Sequence, residues 1–205
     1  MNNNNIYLYP VFIRIWHFIN AVMFLLLIIT GFSMQYSTPD SPFIQFDLAV
    51  KLHDIGGLTV TFNYLLFFIG NLVTGNGKNY RIRAKGFAKE LMAQIRYYSY
   101  GIFKGENPPF PINSERKFNP LQKFSYVVVM YFGMPILILT GLALFFPKIF
   151  DFVGLGSLII ADVIHVLMGI ILTMFVLIHV YFSTIGTTLT SNFKSIITGW
   201  HEAGH

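Results

Sequence analysis

The sequence contains no cysteine. Disulfides, thiolate-held iron–sulfur clusters, c-type haem attachment and cysteine zinc sites are therefore excluded within the chain, and a resident metal has to be held by histidine or carboxylate. Charge is scarce as well. There are 14 Lys and Arg and 9 Asp and Glu, so only 11% of the 205 residues are charged, against about 25% in an ordinary soluble domain. So few charges cannot solvate a water-facing surface. In their place stand apolar residues, 54% of the chain, with 22 Phe and 11 Tyr. This balance predicts one integral membrane domain over residues 1–205, with membrane lipid as its surroundings and no nucleic-acid partner. Met1 to Asn5 carry no basic residue, so a cleaved signal peptide is not expected.

A spanning helix needs about 20 mostly apolar residues. Four stretches meet this, at about 12–34, 51–73, 121–146 and 158–185. Pro39 and Pro42 punctuate the first connection, Thr74-Gly75-Asn76-Gly77 stops the second span, Pro147 ends the third, and Pro135 inside the third predicts a kink. The runs are too long and too apolar for barrel strands, which leaves an all-α, integral membrane four-helix bundle. No internal repeat is evident. Nine of the 14 cations fall in the loop 74–119, and none in residues 35–50. The positive-inside rule puts that loop in the cytoplasm, and an even number of spans puts both termini there too. Within the loop, Phe87, Leu91, Ile95, Tyr98 and Ile102 share one helical face, with Lys89, Glu90 and Arg96 off it. This predicts an amphipathic interfacial helix on the inner leaflet, or alternatively a solvated helix packed on a partner subunit.

Four of the six histidines, His17, His53, His165 and His179, lie in or at the edge of the spans. Ionisable residues there are costly and mark function. His165 and His179 are 14 residues apart, about 21 Å along a helix and within about 40° of one face. His179 matches His17 in depth, on the inner side, and His165 matches His53, on the outer side. Two histidines per depth on different helices suit bis-imidazole ligation of a haem iron, although imidazole serves iron, copper and zinc alike. Gly31 lies 14 residues after His17, at the outer depth, and leaves room for a macrocycle there. Gly56, Gly57 and Gly169 do the same beside their histidines or simply allow close helix packing. The closing His201-Glu202-Ala203-Gly204-His205 fits the zinc-protease pattern H-E-x-x-H. That chemistry needs a helix and a third ligand beyond it, so a frayed tail is expected instead.

Arg14-Ile15-Trp16-His17, His53, the His165/His179 pair and the closing Ile197-Thr198-Gly199 together resemble the bacterial di-haem cytochrome b family, within the cytochrome b561 superfamily. Its members include the membrane subunits of respiratory formate dehydrogenases, nickel–iron hydrogenases and thiosulfate reductases. The resemblance covers nearly the whole chain. It implies two haem b, one held by His17 and His179 and the other by His53 and His165, in the bacterial cytoplasmic (inner) membrane. Lys117 to Lys123 resemble the K-Y-N-x-x-Q-K segment that borders a quinone site in such subunits, which implies ubiquinone or menaquinone near Asn119 and Gln122. The same two residues also suit a plain helix cap. The function implied is electron transfer between an extracytoplasmic iron–sulfur or multihaem subunit and membrane quinone. The alternatives are a stand-alone membrane cytochrome b that oxidises superoxide or reduces ferric iron, and a haem-free transporter or anchor.

Overall fold

The structure is a computed structural model that describes residues 5–38, 40–113, 116–153 and 157–202. The described residues are all-α apart from one short strand pair. In chain order the elements are β1 (Asn5–Tyr7), α1 (Val11–Tyr36), α2 (Phe46–Val73), α3 (Ala84–Ser99), α4 (Pro120–Phe145), α5 (Pro147–Val153), α6 (Leu158–Ser183), α7 (Ser191–Thr198) and β2 (Trp200–Glu202). Among the described residues, helices α1, α2, α4 and α6 are the four long and apolar enough to cross a membrane.

Several boundaries differ from the sequence expectation, each for a local reason. Helix α2 starts at Phe46 rather than Lys51 because the Gln45 carbonyl accepts the Ala49 amide at 2.8 Å and Asp47 sits in the first turn, where a negative charge suits the helix dipole. Pro147 ends α4 but also opens α5, at a position where its missing N–H costs nothing. Ahead of Pro135, residues Val129–Gly133 form a π-helical turn inside α4, one of the ordinary causes of a helix irregularity. The expected loose tail is overturned over Trp200–Glu202. These residues form β2, antiparallel to β1, with Ile6 opposite His201. The rest of that tail, Ala203 to His205, lies outside the described residues.

The chain divides into two compact units. The first joins the segment up to Arg14, the stretch Gly70–Met130 and the segment from Val180 onward. Here α3 packs on the opening turns of α4. Phe87 faces Phe124 with ring centres 6.5 Å apart, and Tyr98 packs on Phe182 at 4.8 Å. The covered face of α3 is Leu91, Gln94, Tyr97 and Tyr98, whereas Ile95 is exposed and Ile102 lies in a 3₁₀ turn beyond the helix. The buried face thus centres on Gln94 and Tyr97, beside the apolar stripe read from the sequence. Gly199 closes α7 at φ +90°, and its carbonyl accepts the amides of Leu8 at 2.9 Å and Tyr9 at 3.2 Å. A side chain there would strain the backbone and collide with the Tyr7 ring.

The second unit, Ile15–Ile69 and Tyr131–His179, contains the body of the four spans. Its polarity runs opposite to that of a soluble core. Thr30, Ser33 and Asn63 are buried, while Phe18, Phe32, Phe62, Leu139, Ile159 and Leu177 face outward. Helices in lipid gain nothing from hiding apolar surface, so small and polar residues hold their contacts. Ser33 Oγ lies 3.2 Å from the Ile44 carbonyl and accepts the Ile44 amide at 2.9 Å, which anchors the turn between α1 and α2.

Candidate functional site

The four spanning histidines meet in two pairs inside the second unit. The rings of His17 on α1 and His179 on α6 have centres 6.1 Å apart, with planes at 53°. Those of His53 on α2 and His165 on α6 are 6.2 Å apart, at 73°. These distances test the fit of a metal between the rings. An imidazole nitrogen sits about 2.0–2.1 Å from a bound metal, with the ring centre about 1.1 Å behind it, so two rings across one metal have centres roughly 6.3 Å apart. Both pairs match. Among the described residues no group of three or more His, Asp or Glu gathers as a metal site. Each pair therefore offers two donors only, which would suit a macrocycle such as haem that supplies its own ring nitrogens.

The His53/His165 pair has further construction around it. Thr30 Oγ1 lies 2.9 Å from His53 Nδ1, and Thr140 Oγ1 lies 3.0 Å from His165 Nδ1. Gly31 stands where the sequence placed it. A methyl group added there would lie 3.4 Å from His53 Cε1, and one added at Gly141 only 3.0 Å from His165 Cε1. Both rings thus lie against bare backbone. A methyl at Gly56 would instead meet Leu27, so that glycine serves helix packing, while methyls at Gly57 and Gly169 would meet nothing within 4 Å. Thr30, Thr140 and Gly141 were missed in the sequence reading. The signal was present as a repeated Thr-Gly dipeptide, followed by a histidine 23 residues after Thr30 and 25 after Thr140.

Asn119 and Gln122 lie in the first unit and form a capping box. Asn119 Oδ1 accepts the Gln122 amide at 2.9 Å, Gln122 Oε1 accepts the Asn119 amide at 3.2 Å, and Pro120 follows the cap. Asn119 Nδ2 also donates to the Tyr98 hydroxyl at 3.0 Å. Gln94 is 2% exposed and keeps a buried Oε1 with no partner. The Tyr98 hydroxyl oxygen accepts the Asn119 amide. Burial raises the pKa of Tyr98, against the lowering effect of the hydrogen bond from Asn119. Lys117 is buried with its Nζ 4.8 Å from the centre of the Tyr9 ring. Desolvation pushes its ammonium down to about 8 and the Tyr9 phenol up to about 12. At the chain's end, His201 and Glu202 sit in a strand, and His201 Nδ1 lies 3.2 Å from Ser195 Oγ. The described part of the H-E-x-x-H motif, His201 and Glu202, is thus strand rather than helix.

Comparison with known proteins agrees with this arrangement. The chain is 36% identical over 201 residues to the Escherichia coli (strain K12) protein YdhU, named as a candidate cytochrome; the alignment covers 98% of this chain and 76% of that one. The family model described as prokaryotic cytochrome b561 matches residues 8–199, an interval that takes in both histidine pairs. With four spanning helices and imidazoles spaced for a haem iron, that match places the chain in the prokaryotic cytochrome b561 family, as a membrane haem b protein of electron transfer.

Proposed function

We propose that the chain binds two haem b, one between His17 and His179 and one between His53 and His165, and carries electrons across the bacterial inner membrane between an extracytoplasmic redox partner and quinone. The observation that carries this reading is the presence of two imidazole pairs, each spaced for one metal, at 6.1 and 6.2 Å. Haem b supplies reversible one-electron iron chemistry when bound. The chain's own part is to present four imidazoles at two levels, about 21 Å apart along α6, in surroundings with few charges. The basic loop 74–119 is assigned to the cytoplasmic side by the positive-inside rule, which puts His17 and His179 on the inner level. The apolar edge of α3 would then lie on the inner leaflet.

The test is a reduced-minus-oxidised spectrum with a haem-to-protein ratio on purified protein. Two haems per chain are expected. His53→Ala or His165→Ala should remove one of them, and His17→Ala or His179→Ala the other. A ratio of one in folded protein would overturn the di-haem reading.

Quinone binding near Asn119 and Gln122 is supported by donors rather than by a cavity. Asn119 is already committed to the cap and to Tyr98, so the groups left to meet a quinone carbonyl are the Tyr98 O–H and the Gln122 amide nitrogen. One neutral hydrogen bond contributes about 0.5–1.5 kcal/mol. Tyr98→Phe, or Gln122→Ala with its weaker cap, should therefore slow quinone-linked haem oxidation several-fold while both haems stay bound. Unchanged quinone kinetics and inhibitor affinity in the double variant would place the site elsewhere.

A further inference from the structure

The geometry points to Thr30 and Thr140 as a matched pair of positioning residues. They hold the imidazoles of His53 and His165 with the proton on Nδ1 and the lone pair on Nε2, the form in which both rings would bind one metal. The inference rests on the haem reading for that pair.

A threonine hydroxyl has one proton to give. Thr30 Oγ1 lies 2.8 Å from the Leu26 carbonyl oxygen and 3.3 Å from that of Leu27. Thr140 Oγ1 lies 2.8 Å from the Ile136 carbonyl oxygen and 3.1 Å from that of Leu137. Two oxygens at 2.8 Å repel unless a proton lies between them, so each hydroxyl proton points back to its own helix. The hydroxyl oxygen that faces the histidine is then an acceptor. At 2.9 and 3.0 Å it takes a proton from Nδ1. A neutral imidazole protonated on Nδ1 keeps its lone pair on Nε2, the form that ligates a metal, and the hydrogen bond makes that nitrogen a stronger donor.

The arrangement occurs twice, on separate helix pairs. Thr30 of α1 serves His53 of α2, and Thr140 of α4 serves His165 of α6. In each case the next residue is a glycine against which the served ring lies. The hydroxyl fixes the tautomer and the rotation of the ring, while the bare glycine backbone fixes its lateral position. A threonine placed only for helix packing would have no reason to be followed by a glycine under the same ring in both copies.

The test uses the full chain purified with its haem. Thr30→Val and Thr140→Val keep the shape and remove the acceptor, and Thr→Ser at each position restores it. Three quantities are read: haem content, midpoint potential, and the low-spin ferric electron paramagnetic resonance spectrum, whose anisotropy reports the angle between the two ring planes. A less basic imidazole favours ferrous over ferric iron. Each valine should therefore shift the ferric-to-ferrous binding ratio of the His53/His165 haem about three- to tenfold, an upward move of roughly 30–60 mV at 59 mV per tenfold. The resonance spectrum of that haem should change, serine should restore both, and the His17/His179 haem should be unaffected. An unchanged potential and spectrum in the double valine variant overturns the inference. Loss of that haem in the double valine supports the inference if serine rescues it and overturns it if serine does not. A wild-type protein with no haem that depends on His53 and His165 brings down the haem reading itself, and the inference with it.

Discussion

Trp16 and Asn63 exchange two hydrogen bonds across the first two spans. Trp16 Nε1 donates to the Asn63 carbonyl at 3.0 Å, and Asn63 Nδ2 donates to the Trp16 carbonyl at 3.1 Å. Phe67 stacks on the indole at 4.5 Å. This clasp fixes the backbone immediately before His17. Hydrogen bonds between spanning helices average about 0.6 kcal/mol and reach about 1.7. Trp16→Phe combined with Asn63→Leu should thus cost on the order of 1–3 kcal/mol in detergent unfolding, and should loosen the haem that depends on His17 before the other. Equal retention of both haems on heating would show that the clasp does not position that ligand.

The two glycines under the His53 and His165 rings should differ in tolerance. A methyl at Gly31 reaches ordinary contact with the ring at 3.4 Å, whereas one at Gly141 reaches 3.0 Å and forces the ring to shift. Gly31→Ala should leave the haem spectrum near wild type. Gly141→Ala should broaden or shift the signal of the same haem and lower its retention. The comparison is made by haem content and visible spectrum, and the reverse ranking would contradict the spacing.

Topology is checked by reporter fusions. Fusions after Gly105 and after His205 should read cytoplasmic, and one near Asp40 should read extracytoplasmic, as the nine cations of the loop 74–119 require. An extracytoplasmic reading at Gly105 would exchange the levels assigned to the two histidine pairs.

Lys117 makes stability depend on pH in a stated direction. In the unfolded chain this lysine keeps its proton up to about 10.5, whereas in the folded chain burial brings release down to about 8. The unfolded state therefore binds more protons throughout that window, and stability rises with pH across it. At about 1.36 kcal/mol per unit the full gain is on the order of 3–4 kcal/mol. Unfolding midpoints in detergent at pH 7.5 and 10 should show the rise, and Lys117→Met should flatten it. An equal rise in the methionine variant would assign the effect to other groups.

The reading of the sequence and the structure meet most closely where one residue type carries the chemistry. The spans follow from hydropathy because lipid leaves a chain few alternatives, and the four histidines follow from depth because helical rise converts residue number into distance. Pairing partners on different helices were legible for the same reason. Thr30 and Thr140 were not, since a threonine in a spanning helix is common and its service to a histidine 23 or 25 residues away appears only once the helices are side by side. The burial of Gln94 on α3 was not legible, because a polar residue falls outside any apolar periodicity. The ordered end at Trp200–Glu202 was missed because its stability comes from β1, almost the whole chain away.

That strand pair sets the order in which the molecule can be completed. Asn5–Tyr7 leave the ribosome long before Trp200–Glu202 exist, so β1 waits without a partner while all four spans are synthesised and inserted. The amides of Leu8 and Tyr9 wait as well, for the carbonyl of Gly199. The pair acts as a latch that closes only after the last span is in place, and it can close only if both ends have been left on one side of the bilayer.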